Sequence, residues 1–333
     1  MVCELIQIKN TIPAQWGPKK VRTIYQQRHG QAPSESSVKR VLDKAGFVNH
    51  RKRRRRDLPA QAQEGIRPEK PNQQWSVDFK GWWKTANGDH CEPLTVRDGF
   101  SRYILDLRAM NTTKTEPVRD AFEQLFEQYG LPESIRSDNG TPFASPMAPR
   151  GLSRLSAWWI TLGIRLDRID PGRPDQNGAH ERVHRDIRAE LQLNPQSDLD
   201  TSQVIFDQWR NIFNWQRPHE GIEMKMPGDL YQPSSTPYQT EPVDLSYPPH
   251  WLERRVTRRG NIKLGGTPID ISSTLGGYVV GLEPINGRLD VWFDYLKLGH
   301  IDLEVHHFKP VTAKKRRRSS SGRLADQRKK DGQ

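Results

Sequence analysis

Three carboxylates and two histidines are the residues of this chain whose types and spacing could do chemistry. Asp78 lies in the alternating run WSVDFK, Asp138 in SDNGTPF, and Glu181 in PGRPDQNGAHERVHRDIRAEL. Hard divalent cations prefer oxygen ligands, and Mg²⁺ takes only a few carboxylates while keeping water and substrate phosphates. Brought together, these three would suit a two-ion site, the ions about 4 Å apart, for in-line phosphoryl displacement. The third segment also spells His180, Glu181 and His184, the H-E-x-x-H pattern in which two imidazoles bind zinc and the glutamate acts as general base. That pattern is short, needs a further ligand downstream, and leaves Asp78 and the SDNG turn without a role. Glu181 is therefore expected as a metal ligand and the histidines as its neighbours.

The surrounding elements must deliver these groups. Trp75, Val77 and Phe79 alternate with Ser76, Asp78 and Lys80, which predicts a strand presenting Asp78 on one side. Asn87-Gly88 predicts a hairpin turn, and LTVRDGFSRYILDLRAM predicts two more strands around Asp98-Gly99. A helix is expected over about 116–129, with Thr115 as cap and Val118, Phe122, Leu125 and Phe126 as its apolar face. SIRS then reads as a short strand ending at Asp138, where a carboxylate before a Gly-containing turn stands at the reactive end of an open sheet. LSRLSAWWITLG reads as a helix, IRLDRI as a strand, PGRPDQNG as an irregular approach to the Glu181 helix, and 202–215 as a last helix. This order of elements predicts an α/β layer on a mixed five-stranded sheet.

Charge is distributed in a way that names a partner. The net charge is +12, yet residues 1–57 carry 14 Lys/Arg against 4 Asp/Glu and residues 309–333 carry 10 against 2, so the centre is acidic. Basic ends suit a polyanion, and an acidic centre suits cations held by carboxylates. Only Cys3 and Cys91 are present, which excludes a disulfide framework and a cysteine-based zinc module. No apolar run is long enough to span a bilayer, and MVCELIQIKN lacks the apolar core of a signal peptide, so a cytoplasmic, nucleoid-associated protein with no membrane partner is expected.

At the N-terminus, WGPKKVRTIYQQRH and SESSVKRVLDKAG predict two helices around a tight turn, with Ser34 as N-cap and Gly46 as stop, a helix-turn-helix. Its second helix would present Ser36, Ser37, Lys39, Arg40 and Lys44 to a major groove, and Arg53, Arg54, Arg55 and Arg56 form a basic arm that would track phosphates. Toward the C-terminus, IKLGGTPIDI, YVVGLEPING and RLDVWFD are separated by Gly-Gly, Asn-Gly and Pro, as in a small all-β barrel. The expected organisation is a helix-turn-helix with basic arm over 1–56, a linker at 57–72, a catalytic core over 73–231, a second linker at 232–249, a barrel over 250–310 and a basic disordered tail over 311–333.

VDFKG, SDNGTPF and GRPDQNGAHERVH, followed by NWQRPH and MPGDLY, resemble bacterial insertion-sequence transposases whose catalytic core is of the retroviral-integrase type. The resemblance implies a ribonuclease-H-like core, a C-terminal barrel of SH3-like form, and Asp78, Asp138 and Glu181 as the DDE metal ligands. It implies two Mg²⁺ ions, with Mn²⁺ able to substitute, double-stranded DNA at the element's ends and target as partner, and a homo-oligomer on that DNA. The implied reaction is nicking at the element's end and transfer of the 3′-hydroxyl to target DNA. Asn139, Arg182, His184, Arg185 and Arg188 are then expected along the DNA path. The 42 residues between Asp138 and Glu181 exceed the interval in many relatives, which the Pro-rich loop at 144–153 accounts for. Related transposases often carry two helix-turn-helix units, and this chain begins so close to its one unit that the other is expected to be missing. The competing classes are a non-catalytic DNA-binding protein derived from a transposase and a simple metal-dependent nuclease.

Overall fold

The computed structural model describes residues 1–13, 15–48, 68–169, 178–240 and 244–311. The basic arm Arg53, Arg54, Arg55 and Arg56, most of the 57–72 linker, the approach at 171–177 and the tail beyond 311 lie outside the described residues. The molecule has two units, residues 1–146 with 152–243, and residues 147–151 with 244–333. No helix among the described residues is long and apolar enough to cross a membrane.

The first unit begins with three helices, α1 (Val2–Thr11), α2 (Pro18–His29) and α3 (Glu35–Lys44). They close over Leu5, Ile8, Val21, Val38 and Leu42. The Ser34 hydroxyl accepts the Ser37 amide to cap α3, as its sequence predicts, and Gly46 at φ 77° ends the helix in the left-handed region. α1 corrects the expectation of two helices: Leu5 and Ile8 provide the face that covers α2 and α3.

The sheet is built from β1 (Trp75–Phe79), β2 (Trp83–Lys84), β3 (His90–Asp98), β4 (Ile104–Met110), β5 (Ser134–Ser137) and β6 (Arg165–Arg168). Its main path is β4-β3-β1-β5-β6, antiparallel through β1, β3 and β4 and parallel through β1, β5 and β6. The mixed sheet matches the sequence reading, with six strands in place of five because β2 pairs with the start of β3. Helices α4 (Thr115–Tyr129) and α5 (Arg154–Thr161) cover one face, where Trp75, Val77, Phe122, Phe126 and Trp159 pack together. The other face is covered by α6 (Gly178–Ile187), which runs on into a π-helical turn at Arg188–Gln192, and by α7 (Leu199–Trp215). Val183, Ile187, Leu191, Phe206, Trp209 and Phe213 fill that second layer. The last helix of this unit is the short α8 (Pro227–Leu230).

Three local expectations change. Thr115 is the first residue of α4, and Lys114 stands at its cap position. α7 starts at Leu199, three residues early, because the Asp198 carboxylate accepts the Thr201 amide at 2.7 Å. The segments read as linkers are partly bound to the core. Asn72 is buried: its amide donates to Asp98 Oδ1, its Nδ2 to the Gln232 carbonyl, and its Oδ1 accepts from Trp75 Nε1 and Tyr231 Oη. Beyond it, the Ser234 amide donates to the Tyr129 carbonyl and the Leu131 amide to the Thr236 carbonyl, so residues 232–236 run along the end of α4.

Among its described residues the second unit has seven strands, β7 (Leu252–Arg255), β8 (Asn261–Leu264), β9 (Thr267–Asp270), β10 (Val279–Ile285), β11 (Arg288–Phe293), β12 (Leu296–Asp302) and β13 (His307–Pro310). Five form an antiparallel sheet in the order β13-β12-β11-β10-β7, and β8 pairs with β9. Val280, Leu282, Val291, Phe293, Leu298 and Ile301 are fully buried within the unit.

Candidate metal and catalytic site

Asp78 and Asp138 are positioned by one strand pairing. β1 and β5 run parallel with Trp75 opposite Ile135 and Ser76 opposite Arg136. Asp78 lies two residues beyond Ser76 on β1, and Asp138 two residues beyond Arg136, at the first position after β5. Asp138 leaves the strand into a tight turn in which its Oδ1 accepts the Gly140 amide at 3.0 Å. A Cβ on Gly140 would come within 3.0 Å of the Asp138 carboxylate, so the small residue leaves that carboxylate its place. Asn139, expected to contact DNA, is exposed and donates from Nδ2 to the Ile169 carbonyl at 2.7 Å, which ties this turn to the end of β6.

α6 lies on the other side of Asp78. Its periodicity aims His180, Val183 and Ile187 at the sheet and leaves Glu181, Arg182, Arg185 and Arg188 exposed. His180 is only 1% exposed, which leaves its ring no solvent partner. His184, expected along the DNA path, turns inward instead: its Nε2 stands 3.0 Å from Thr95 Oγ1, and His180 Nδ1 stands 3.3 Å from the same oxygen. Thr95 is the β3 residue opposite Asp78 and donates its hydroxyl proton to the Asp78 carbonyl at 2.9 Å. That oxygen is thereby left to accept from both rings, and each imidazole keeps one lone-pair nitrogen.

One carboxylate oxygen of Asp78 and one ring nitrogen each of His180 and His184 lie within 4.8 Å of one another. Asp138 and Glu181 are outside this group. Burial holds the His180 ring well below the usual imidazole range, reinforced by the positive charge of Arg97. Burial likewise lowers His184 to about 4, with Lys80 and Arg97 adding repulsion. Both rings are neutral at pH 7.

The remaining sequence candidates are dispersed. Ser36, Lys39, Arg40 and Lys44 are exposed on α3, whereas the Ser36 and Ser37 hydroxyls both pair with Ser34. Arg182 and Arg185 line a groove with Gln15, Asp186 and Ala189. Thr95 and Arg97 carry no motif of their own in the sequence. Arg97 is buried behind His180, and burial first, then Arg102, lowers its guanidinium to about 10. A basic residue alternating with apolar ones in a strand signals an exposed face, and only the helical layer over that face buries it.

Two models described as integrase core domain match residues 68–174 and 162–227. An uncharacterized 31.7 kDa protein of insertion element IS407 from Burkholderia multivorans is 27% identical over 206 residues, 61% of this chain and 71% of the relative. An uncharacterized 39.2 kDa protein of insertion element IS476 from Xanthomonas euvesicatoria is 28% identical over 217 residues, 65% of this chain and 59% of the relative. Among solved structures, a chain of the simian T-cell lymphotropic virus intasome in complex with PP2A regulatory subunit B56 gamma aligns over 82% of this chain and 92% of its own, at 18% identity and TM-score 0.43. The family models and the two insertion-element relatives bear out the resemblance carried by VDFKG, SDNGTPF and GRPDQNGAHERVH.

Proposed function

From a chain that carries an integrase-type core and is similar to insertion-element proteins, we propose a DNA transposase that cleaves at its element's ends and joins the 3′-hydroxyl to target DNA. The observation that supports this is that Asp78 and Asp138 each lie two residues beyond the paired Ser76 and Arg136 of the neighbouring parallel strands β1 and β5, with Glu181 on α6 over the same sheet. Asp78, Asp138 and Glu181 offer only oxygen donors, the chemistry that Mg²⁺ requires, and Mn²⁺ would substitute. Two such ions, when bound, supply activation of water or a 3′-hydroxyl and stabilisation of the departing oxyanion. The chain's own part is positional. The Gly140 amide orients the Asp138 carboxylate, and the exposed Arg182, Arg185 and Arg188 offer phosphate contacts within two turns of Glu181.

DNA binding would be shared by α3, read as the recognition helix of a helix-turn-helix through Lys39, Arg40 and Lys44, by the arm Arg53 to Arg56, and by the second unit, read as a small SH3-like barrel. Joining two ends to one target calls for an oligomer on the DNA. The test is a strand-transfer assay on duplexes carrying the element's ends, with Mg²⁺ or Mn²⁺, for the wild type and Asp138→Asn. Metal-dependent joining lost by at least 10²-fold in the variant, with DNA binding kept, is the expected result. A wild type that shifts DNA without nicking it would be a non-catalytic binding protein, and hydrolysis without joining would mark a nuclease.

A further inference from the structure

The histidines of the H-E-x-x-H segment are left over by the carboxylate chemistry, yet a ring nitrogen of each lies within 4.8 Å of an Asp78 carboxylate oxygen. We propose that Asp78, His180 and His184 form a second kind of metal site, for a borderline transition-metal ion such as Zn²⁺ or Co²⁺.

The donor set argues for this class. Two imidazole nitrogens and one carboxylate oxygen within 4.8 Å of one another match the nitrogen-rich sets that bind Zn²⁺ and Co²⁺, whereas Mg²⁺ prefers oxygen alone. His180 and His184 stand one helical turn apart on the face of α6 turned toward the sheet, and Asp78 comes from the strand beneath. An independent observation points to a ligand: Nε2 of His180 is fully buried and makes no hydrogen bond. A buried imidazole nitrogen without a partner is costly, and a metal ion satisfies it. The support beneath the ligands is also present. The Thr95 hydroxyl contacts a nitrogen of each ring and binds the Asp78 backbone, the hydrogen-bonded backing that orients metal-ligating histidines. Only one residue, Asp78, belongs to both sites. An ion held by the two histidines therefore withdraws Asp78 from Asp138 and Glu181, so that Zn²⁺ inhibits the Mg²⁺-supported reaction. That consequence rests on the proposed role of Asp78 in catalysis; the binding itself does not.

The test uses the full chain stripped by chelation and titrated with Co²⁺, followed by its visible absorption and by equilibrium dialysis. The wild type is expected to bind one ion with the spectrum of a nitrogen- and oxygen-ligated site. His180→Leu, His184→Ala and Asp78→Asn should each lose that spectrum. Thr95→Val, which keeps all three ligands and the side-chain shape, should weaken binding about tenfold or more. A wild type that binds no Co²⁺, or histidine variants that bind it with unchanged affinity and spectrum, overturn the proposal. If His180→Leu fails to fold, Thr95→Val and His184→Ala still decide it. Strand transfer is measured in parallel: joining without histidine-dependent Co²⁺ binding removes this site alone, and histidine-dependent binding without joining removes the transposase reading alone.

Discussion

His184 and His219 are both held neutral inside the core, and this has a thermodynamic consequence. His184 is lowered to about 4 by burial, then Lys80 and Arg97, and His219 to about 2 by burial, then Lys20 and Arg217. Both folded values lie below the unfolded value of about 6.5. As pH falls through that value the unfolded chain takes up protons that the native chain refuses, so stability is level above about pH 7 and declines toward pH 4. Asp98 and Asp106, raised by burial, act in the opposite sense near pH 4, so the decline is best read above pH 5. Urea midpoints between pH 5 and 8 should fall on acidification, with His184 contributing on the order of 1–3 kcal/mol of the full effect. His184→Gln should flatten the slope, and a midpoint that does not move with pH would refute the burial-driven shifts. At this scale the sequence was legible where chemistry is local: Asp138-Asn139-Gly140 announces its own turn. It was silent where chemistry depends on a facing layer. The spacing of His180 and His184 puts them on one helix face, but only the packing of Val183 and Ile187 against β3 and β4 turns that face inward.

Elements with strong periodicity were read closely, and those fixed by caps or by tertiary pairing were not. α4 and β1 follow from apolar spacing alone. α1 has no clear sequence signal because its apolar residues Val2, Cys3, Leu5, Ile6 and Ile8 spread around the helix and give a weak period, and β2 has none because two residues show no period. Caps decide the ends. At the start of α5, the Ser153 hydroxyl accepts the Ser156 amide at 3.1 Å while the Ser156 hydroxyl accepts the Ser153 amide at 2.8 Å. The helix so begun buries Leu155 and Trp159 under β5 and β6. Ser153→Ala removes one half of this reciprocal pair and should cost about 1 kcal/mol. In a protein of this size that is a fall in Tm of about 2–4 °C, measurable by calorimetry. A Tm unchanged within error would show that the backbone turn holds the helix start without the hydroxyl.

At the scale of the molecule, the N-terminal helices are joined to the core by contacts that no local pattern announces. Trp16 is buried, with the Arg217 guanidinium 5.7 Å from its ring centre and Lys20 Nζ at 5.3 Å. Arg217 is itself paired with Asp186 at 2.6 Å, Lys19 with Glu220 at 3.3 Å, and Gln15 with Glu190. Burial, and then Arg217, lowers the Lys20 ammonium to about 8. Trp16→Ala should loosen this contact, seen as at least tenfold faster amide hydrogen exchange in α2 and α3 with the sheet left protected. Equal exchange rates would mean that the helices are held elsewhere. Asn72 ties the chain together differently. With its backbone amide on Asp98, its Nδ2 on the Gln232 carbonyl and Tyr231 on its Oδ1, one residue joins the segment entering the core to the segment leaving it. This knot is a clasp: a single buried residue fastens the two ends of the core to each other, so neither end can peel away without the other letting go.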